Sequence, residues 1–77
     1  MKIEILGSNC KKCKKLEEVV RKVIEDNNIE AEVEKVTDMK IIVEYGVMSI
    51  PALVIDGKVR STGKVLKEKQ VLDFIQG

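Results

Sequence analysis

The run Ile3-Glu4-Ile5-Leu6-Gly7-Ser8-Asn9-Cys10-Lys11-Lys12-Cys13 decides the fold of this 77-residue chain. Its first four residues make a short apolar strand pattern, Gly7 closes it, and the two cysteines follow in C-x-x-C spacing. From Cys13 onward Leu16, Val20 and Val23, joined by Val19 and Ile24, keep helical spacing, which predicts one buried stripe on a helix from about Lys11 to Asp26. Cys13 heads that buried face. Cys10 stands at or just before the first helical position, where it can remain at the surface. Asp26-Asn27-Asn28 supplies residues that tolerate a left-handed helix stop.

Beyond the helix, Ile29, Ala31 and Val33 alternate with Glu30, Glu32 and Glu34, the period of a strand with one face in water, which is expected at a sheet edge. The right-handed crossover rule makes it parallel to the first strand. Thr37 is expected to cap a second, shorter helix with Asp38 in its first turn and Gly46 as its stop. Pro51, the one proline, precedes Ala52-Leu53-Val54-Ile55, apolar throughout as in a central strand covered on both faces. Asp56-Gly57 is a two-residue hairpin signal, so Lys58-Val59-Arg60-Ser61 returns antiparallel as an edge strand. Leu66, Val71, Leu72, Phe74 and Ile75 among charged neighbours predict a closing amphipathic helix. The element order is β-α-β-α-β-β-α, read as one domain over residues 1–77.

Composition excludes several classes of function. The first residues lack the uninterrupted apolar run of a signal peptide, and no segment is long enough to span a bilayer, so a soluble cytoplasmic protein is expected. The net charge of +1 is unevenly spread: the first 22 residues carry seven Lys/Arg and three acids, whereas Glu25 to Glu44 carries seven acids and two lysines. With Tyr45 and Phe74 as the only aromatics, stacking platforms for single-stranded nucleic acid are missing, and no nucleic-acid partner is expected. A disulfide between residues three apart constrains little of the unfolded chain, so this bond is chemistry rather than scaffolding. In a reducing compartment a C-x-x-C is catalytic or metal-binding more often than structural.

A thiol reacts as its thiolate, and a helix N-terminus favours that form through its free N–H groups and positive dipole end. Lys11, Lys12, Lys14 and Lys15 add positive potential, so the Cys10 pKa is expected to be lowered. One helical turn lets Cys13 reach a mixed disulfide on Cys10 and release the reduced partner. Cys10 is then the attacking thiol and Cys13 the resolving one.

The C-x-x-C after the first strand, Ile50-Pro51 before a buried strand, Asp56-Gly57, and Gly63 before the last helix together resemble the small thioredoxin and glutaredoxin-like proteins, and the resemblance covers nearly the whole chain. It implies a thioredoxin-like α/β fold with a four-stranded mixed sheet in the order 2-1-3-4 and helices on both faces. It implies that Pro51 is cis and faces the disulfide, and that Ile50 offers backbone hydrogen bonds to a bound substrate strand. The implied activity is thiol–disulfide exchange without a cofactor beyond the Cys10–Cys13 pair, acting on protein disulfides. The family's usual W-C-G-P-C and C-P-Y-C are replaced by Asn9-Cys10-Lys11-Lys12-Cys13. Lys11 and Lys12 should stabilise the thiolate and make the disulfide more oxidising. The glycine pair and acid with which glutaredoxins hold glutathione are replaced around Ser61-Thr62-Gly63-Lys64, which points to a protein disulfide reductase as the electron donor. Glu4 lies six residues before Cys10, as does the buried proton-transferring aspartate of thioredoxins, and could take the Cys13 proton; the alternative is a solvated strand-end glutamate.

The rival reading is soft-metal binding. Small copper chaperones also place a C-x-x-C after their first strand, and two thiolates suit Cu(I). They read M-x-C-x-x-C, whereas Ser8 stands here, and their chain ends in a strand rather than an amphipathic helix. Without histidine, a mixed cysteine and histidine zinc site within one chain is impossible. No metal is expected, and a monomer is.

Overall fold

The computed structural model describes residues 1–7 and 10–76. Strands β1 (Lys2–Leu6), β2 (Glu32–Val36), β3 (Ala52–Ile55) and β4 (Lys58–Thr62) alternate with helices α1 (Lys11–Asp26), α2 (Met39–Glu44) and α3 (Glu68–Gln76) in the order β1-α1-β2-α2-β3-β4-α3. The strands form one sheet ordered β2-β1-β3-β4. β1 and β2 run parallel, Lys2 opposite Glu32 and Leu6 opposite Val36, while β3 is antiparallel to both β1 and β4.

Alternation along β1 sorts the core onto two faces. Ile3 and Ile5, with Leu53 and Ile55, bury Leu16, Val20 and Val23 of α1 and Val71 of α3. On the other face Leu6, Val36, Ala52 and Val54 enclose Ile42 and Val47 around α2. Helices therefore cover both faces, as expected of a chain whose central strands are apolar at almost every position. Removing Leu16, which is fully buried, would cost about 2–5 kcal/mol.

Local chemistry sets the boundaries. Asn28 takes the left-handed conformation (φ 52°) just past α1, and Asp56 and Gly57 both have positive φ (49° and 83°), the backbone a two-residue hairpin needs. Two expectations are corrected. α2 is capped by Asp38, not Thr37: the Asp38 side chain accepts the Lys40 N–H at 2.9 Å. β2 begins at Glu32 rather than Ile29, because the Ile29 N–H is taken by the Ile24 carbonyl at 3.0 Å and the first half of the alternating run packs against the end of α1. The hairpin also holds an irregularity between Leu53 and Val54, where Ser61 and Val59 are the partners and Arg60 is the extra residue.

Candidate active site

Cys10 caps α1. Its backbone is extended (φ −97°, ψ 161°), its carbonyl accepts the Lys14 N–H at 3.0 Å, and its Sγ accepts the Cys13 N–H at 3.1 Å. Cysteine takes the place that serine or aspartate holds at an ordinary helix start, so the sulfur receives one of the orphan N–H groups of the first turn. Cys10 and Cys13 are joined as a disulfide with Cα atoms 5.1 Å apart. They are not equivalent: Cys13 is fully buried, Cys10 only partly. Lys11, Lys12, Lys14 and Lys15 are all exposed, and the first turn holds no acid.

The segment before the buried strand meets this end of α1. The Ile50–Pro51 peptide is cis, Pro51 is buried and Ile50 half-buried. Gly7 links the two parts. A Cβ at Gly7 would stand 2.6 Å from Cys13 Sγ and 3.7 Å from Ile50 Cβ, so sulfur and isoleucine close on one point that only glycine leaves empty. The Gly7 N–H is held by the Val36 carbonyl at 2.9 Å. From the far edge, the Gly63 N–H donates to the Pro51 carbonyl at 2.8 Å, and a Cβ on Gly63 (φ +69°) would approach Ser49 Cβ to 3.0 Å. Ser8 and Asn9, which mark the chain off from copper chaperones and from the usual family motifs, lie outside the described residues.

The family model for the thioredoxin domain matches residues 1–76. A thioredoxin of Methanothermobacter thermautotrophicus is 35% identical over 71 residues, covering 92% of this chain and 92% of its own. Another, from Methanocaldococcus jannaschii, is 37% identical over 71 residues, covering 86% of this chain and 83% of its own. The chain belongs to the thioredoxin family. With that membership and the Cys10–Cys13 disulfide in place, the protein is a thiol–disulfide oxidoreductase. Thioredoxin-family membership does not favour the metal-binding alternative, and among the described residues no three His, Cys, Asp or Glu side chains gather as metal ligands.

Glu4 is almost fully buried, at 9% exposure. It lies on the α2 side of the sheet, opposite Val54 and Glu34 in register, and its carboxylate accepts the Tyr45 hydroxyl at 2.9 Å. That bond, then burial and the nearby Glu4 charge, raise the Tyr45 phenol above its ordinary pKa. Lys2 is likewise raised, first by its bond to Glu34 and that residue's charge, then by Glu4. α1, which carries Cys13, packs on the opposite face from Glu4. Sequence reasoning missed Gly7 as a packing constraint, although its place directly before the cysteine turn was a signal. Nothing local signals the Tyr45–Glu4 bond, which joins residues 41 apart.

Proposed function

We propose that Cys10 is the attacking thiol and Cys13 the resolving thiol in the reduction of protein disulfides. One observation carries the assignment: Cys10 is only partly buried at the helix cap, with the Cys13 N–H aimed at its Sγ, while Cys13 has no exposed surface. In the first step the Cys10 thiolate attacks a substrate disulfide, forming a mixed disulfide and releasing one substrate sulfur, which takes up a proton. Cys13 then gives up its proton and attacks the Cys10 sulfur, closing the Cys10–Cys13 disulfide and releasing the second substrate thiol. Two electrons and two protons leave the dithiol and appear on the substrate.

The cap hydrogen bond strengthens when the sulfur becomes anionic, since hydrogen bonds to charged acceptors are about twice as strong as neutral ones. Lys11 and Lys12 tune the thiolate. Ile50 and cis-Pro51 form the wall against which a substrate strand lies, supported by the meeting of Ile50 with Cys13 around Gly7. Glu4, bonded to Tyr45 on the face of the sheet opposite α1, has a structural account of its burial; acceptance of the Cys13 proton is the competing reading. We place the protein as a monomer of one domain in the cytoplasm, using no cofactor and recharged by a protein disulfide reductase. Among the described residues no helix is long and apolar enough to cross a membrane.

Single-cysteine variants test the assignment. Cys13→Ser should trap a stable mixed disulfide with a substrate protein through Cys10, and Cys10→Ser should form none. Trapping through Cys13 in the Cys10→Ser variant would reverse the roles.

A further inference from the structure

Residues far apart in sequence bring exposed lysines to the end of the sheet that carries the disulfide. β1 and β2 end, and β3 begins, at the edge of the sheet where α1 starts: Leu6 pairs with Val36 and with Ala52, and Gly7 bonds to Val36. α2 also starts there, three residues past Val36, and β4 ends there, with Thr62 opposite Ala52 and Gly63 bonded to Pro51. The described residues of these segments bring Lys11, Lys12 and Lys14 from α1, Lys40 from the first turn of α2, and Lys64 from beyond β4, all exposed.

Asp38 has its side chain engaged by the Lys40 N–H at the α2 cap, and the other nearby acids, Glu17, Glu18 and Glu44, lie one turn further along their helices. None of these five lysines takes part in an ion pair among the described residues, whereas Lys2, Arg21 and Lys22 elsewhere each have a carboxylate partner. The opposite end of the molecule carries Glu25, Asp26, Glu30 and Asp56 against Lys2 and Lys58. Exposed lysines thus gather at the disulfide end of the sheet, and several carboxylates stand at the other. A field of this kind orients and concentrates partners of opposite charge, and it raises their association rate without adding close contacts.

Resting on the exchange activity above, we infer that this site selects protein disulfides set among acidic residues, and that Lys40 and Lys64 extend the steering surface beyond the C-x-x-C itself. Thiolate stabilisation accounts for lysines beside Cys10. It does not account for lysines without an ion pair among the described residues that α2 and the segment after β4 deliver to the same end of the sheet.

The test uses the full chain, reduced in advance, and two synthetic peptides with the same intramolecular disulfide, one flanked by aspartates and one by lysines. The expected second-order rate constant is at least about tenfold higher for the acidic peptide at low ionic strength. That ratio should collapse near 1 M salt, where the screening length is about 3 Å. A Lys40→Gln/Lys64→Gln variant should show a severalfold smaller ratio than the parent at low salt. Equal rates for the two peptides at every salt concentration, or a ratio untouched in the variant, overturn the inference and leave thiol–disulfide exchange standing. Failure to reduce either peptide overturns the exchange reading itself.

Discussion

Replacing Gly7 with alanine should weaken the disulfide more than it weakens the fold. The new Cβ would lie 2.6 Å from Cys13 Sγ and 3.4 Å from Cys13 Cβ. Ordinary contact begins near 3.4 Å, so in the oxidised protein the sulfur or the backbone must yield by about 0.8 Å. Neither yields easily. Cys13 Sγ is tied to Cys10, Cys13 is fully buried at the head of the stripe that anchors α1, and Gly7 is pinned to Val36. Overpacking of this kind costs about 1–3 kcal/mol. In the dithiol, rotation about χ1 can carry Sγ away, leaving the milder contact with Cβ.

Most of the cost therefore falls on the disulfide form, and the equilibrium moves toward the dithiol. For a two-electron couple, where about 30 mV corresponds to 1.4 kcal/mol, the potential should rise by about 20–60 mV. At about 4–8 °C per kcal/mol for a domain of this size, the oxidised protein should melt about 4–24 °C lower, the reduced protein less. Equilibration with dithiol buffers of known potential, together with melting of both forms, reads the two effects. An unchanged or lower potential in Gly7→Ala, or equal losses of melting temperature in the two forms, would refute the reasoning.

The cap of α2 gives a paired prediction: Asp38→Ala should cost about 1 kcal/mol in denaturant unfolding and Thr37→Ala markedly less, since Asp38 accepts the Lys40 N–H. Tyr45 titrates above its ordinary value, so the stability its hydroxyl contributes is complete below about pH 10 and is lost as pH rises through the raised pKa. Melting curves from pH 8 to 12 should fall more steeply for the parent than for Tyr45→Phe, which already lacks the bond. If Glu4 accepts the Cys13 proton, Glu4→Gln should slow resolution of the mixed disulfide about 100-fold and flatten its pH dependence. An unchanged profile with a lowered melting temperature would assign Glu4 to the Tyr45 bond alone.

The parts of the fold legible in sequence were those fixed by local pattern. The boundaries of α1 followed from a stripe of five apolar positions and an asparagine that accepts positive φ, and the hairpin followed from Asp56-Gly57. Errors arose where a tertiary partner decided the outcome. Ile29 alternates as a strand residue should, but its N–H is spent on Ile24, so β2 starts later. Thr37 and Asp38 are both good caps, and which one is used depends on where the backbone turns after Val36. At the site, the spacing of the cysteines and their different burial were visible in advance. The closeness of Gly7 to Cys13, and the arrival of Lys40 and Lys64 at the same end of the sheet, depend on the sheet order and could not be read locally.

The start of α1 is unfavourable by ordinary helix rules, and this connects the lysines to the redox state. Acids belong in a first turn, where they complement the dipole; each cation placed there costs about 0.3–1 kcal/mol at low ionic strength. Here that turn holds Lys11, Lys12 and Lys14 and no acid, and the cap is a cysteine rather than aspartate. An anion at the cap relieves the conflict, and the Cys10 thiolate supplies one, with the Cys13 N–H already directed at its sulfur. The disulfide is neutral and supplies none. The lysines and the dipole thus act together in favour of the deprotonated dithiol, which makes the disulfide the better oxidant. In a Lys11→Gln/Lys12→Gln variant the Cys10 thiol should titrate at higher pH and the couple should move to a more negative potential, both measurable by thiol alkylation. A lower thiol pKa or a more positive potential in that variant would mean that the lysines serve only the approach of partners.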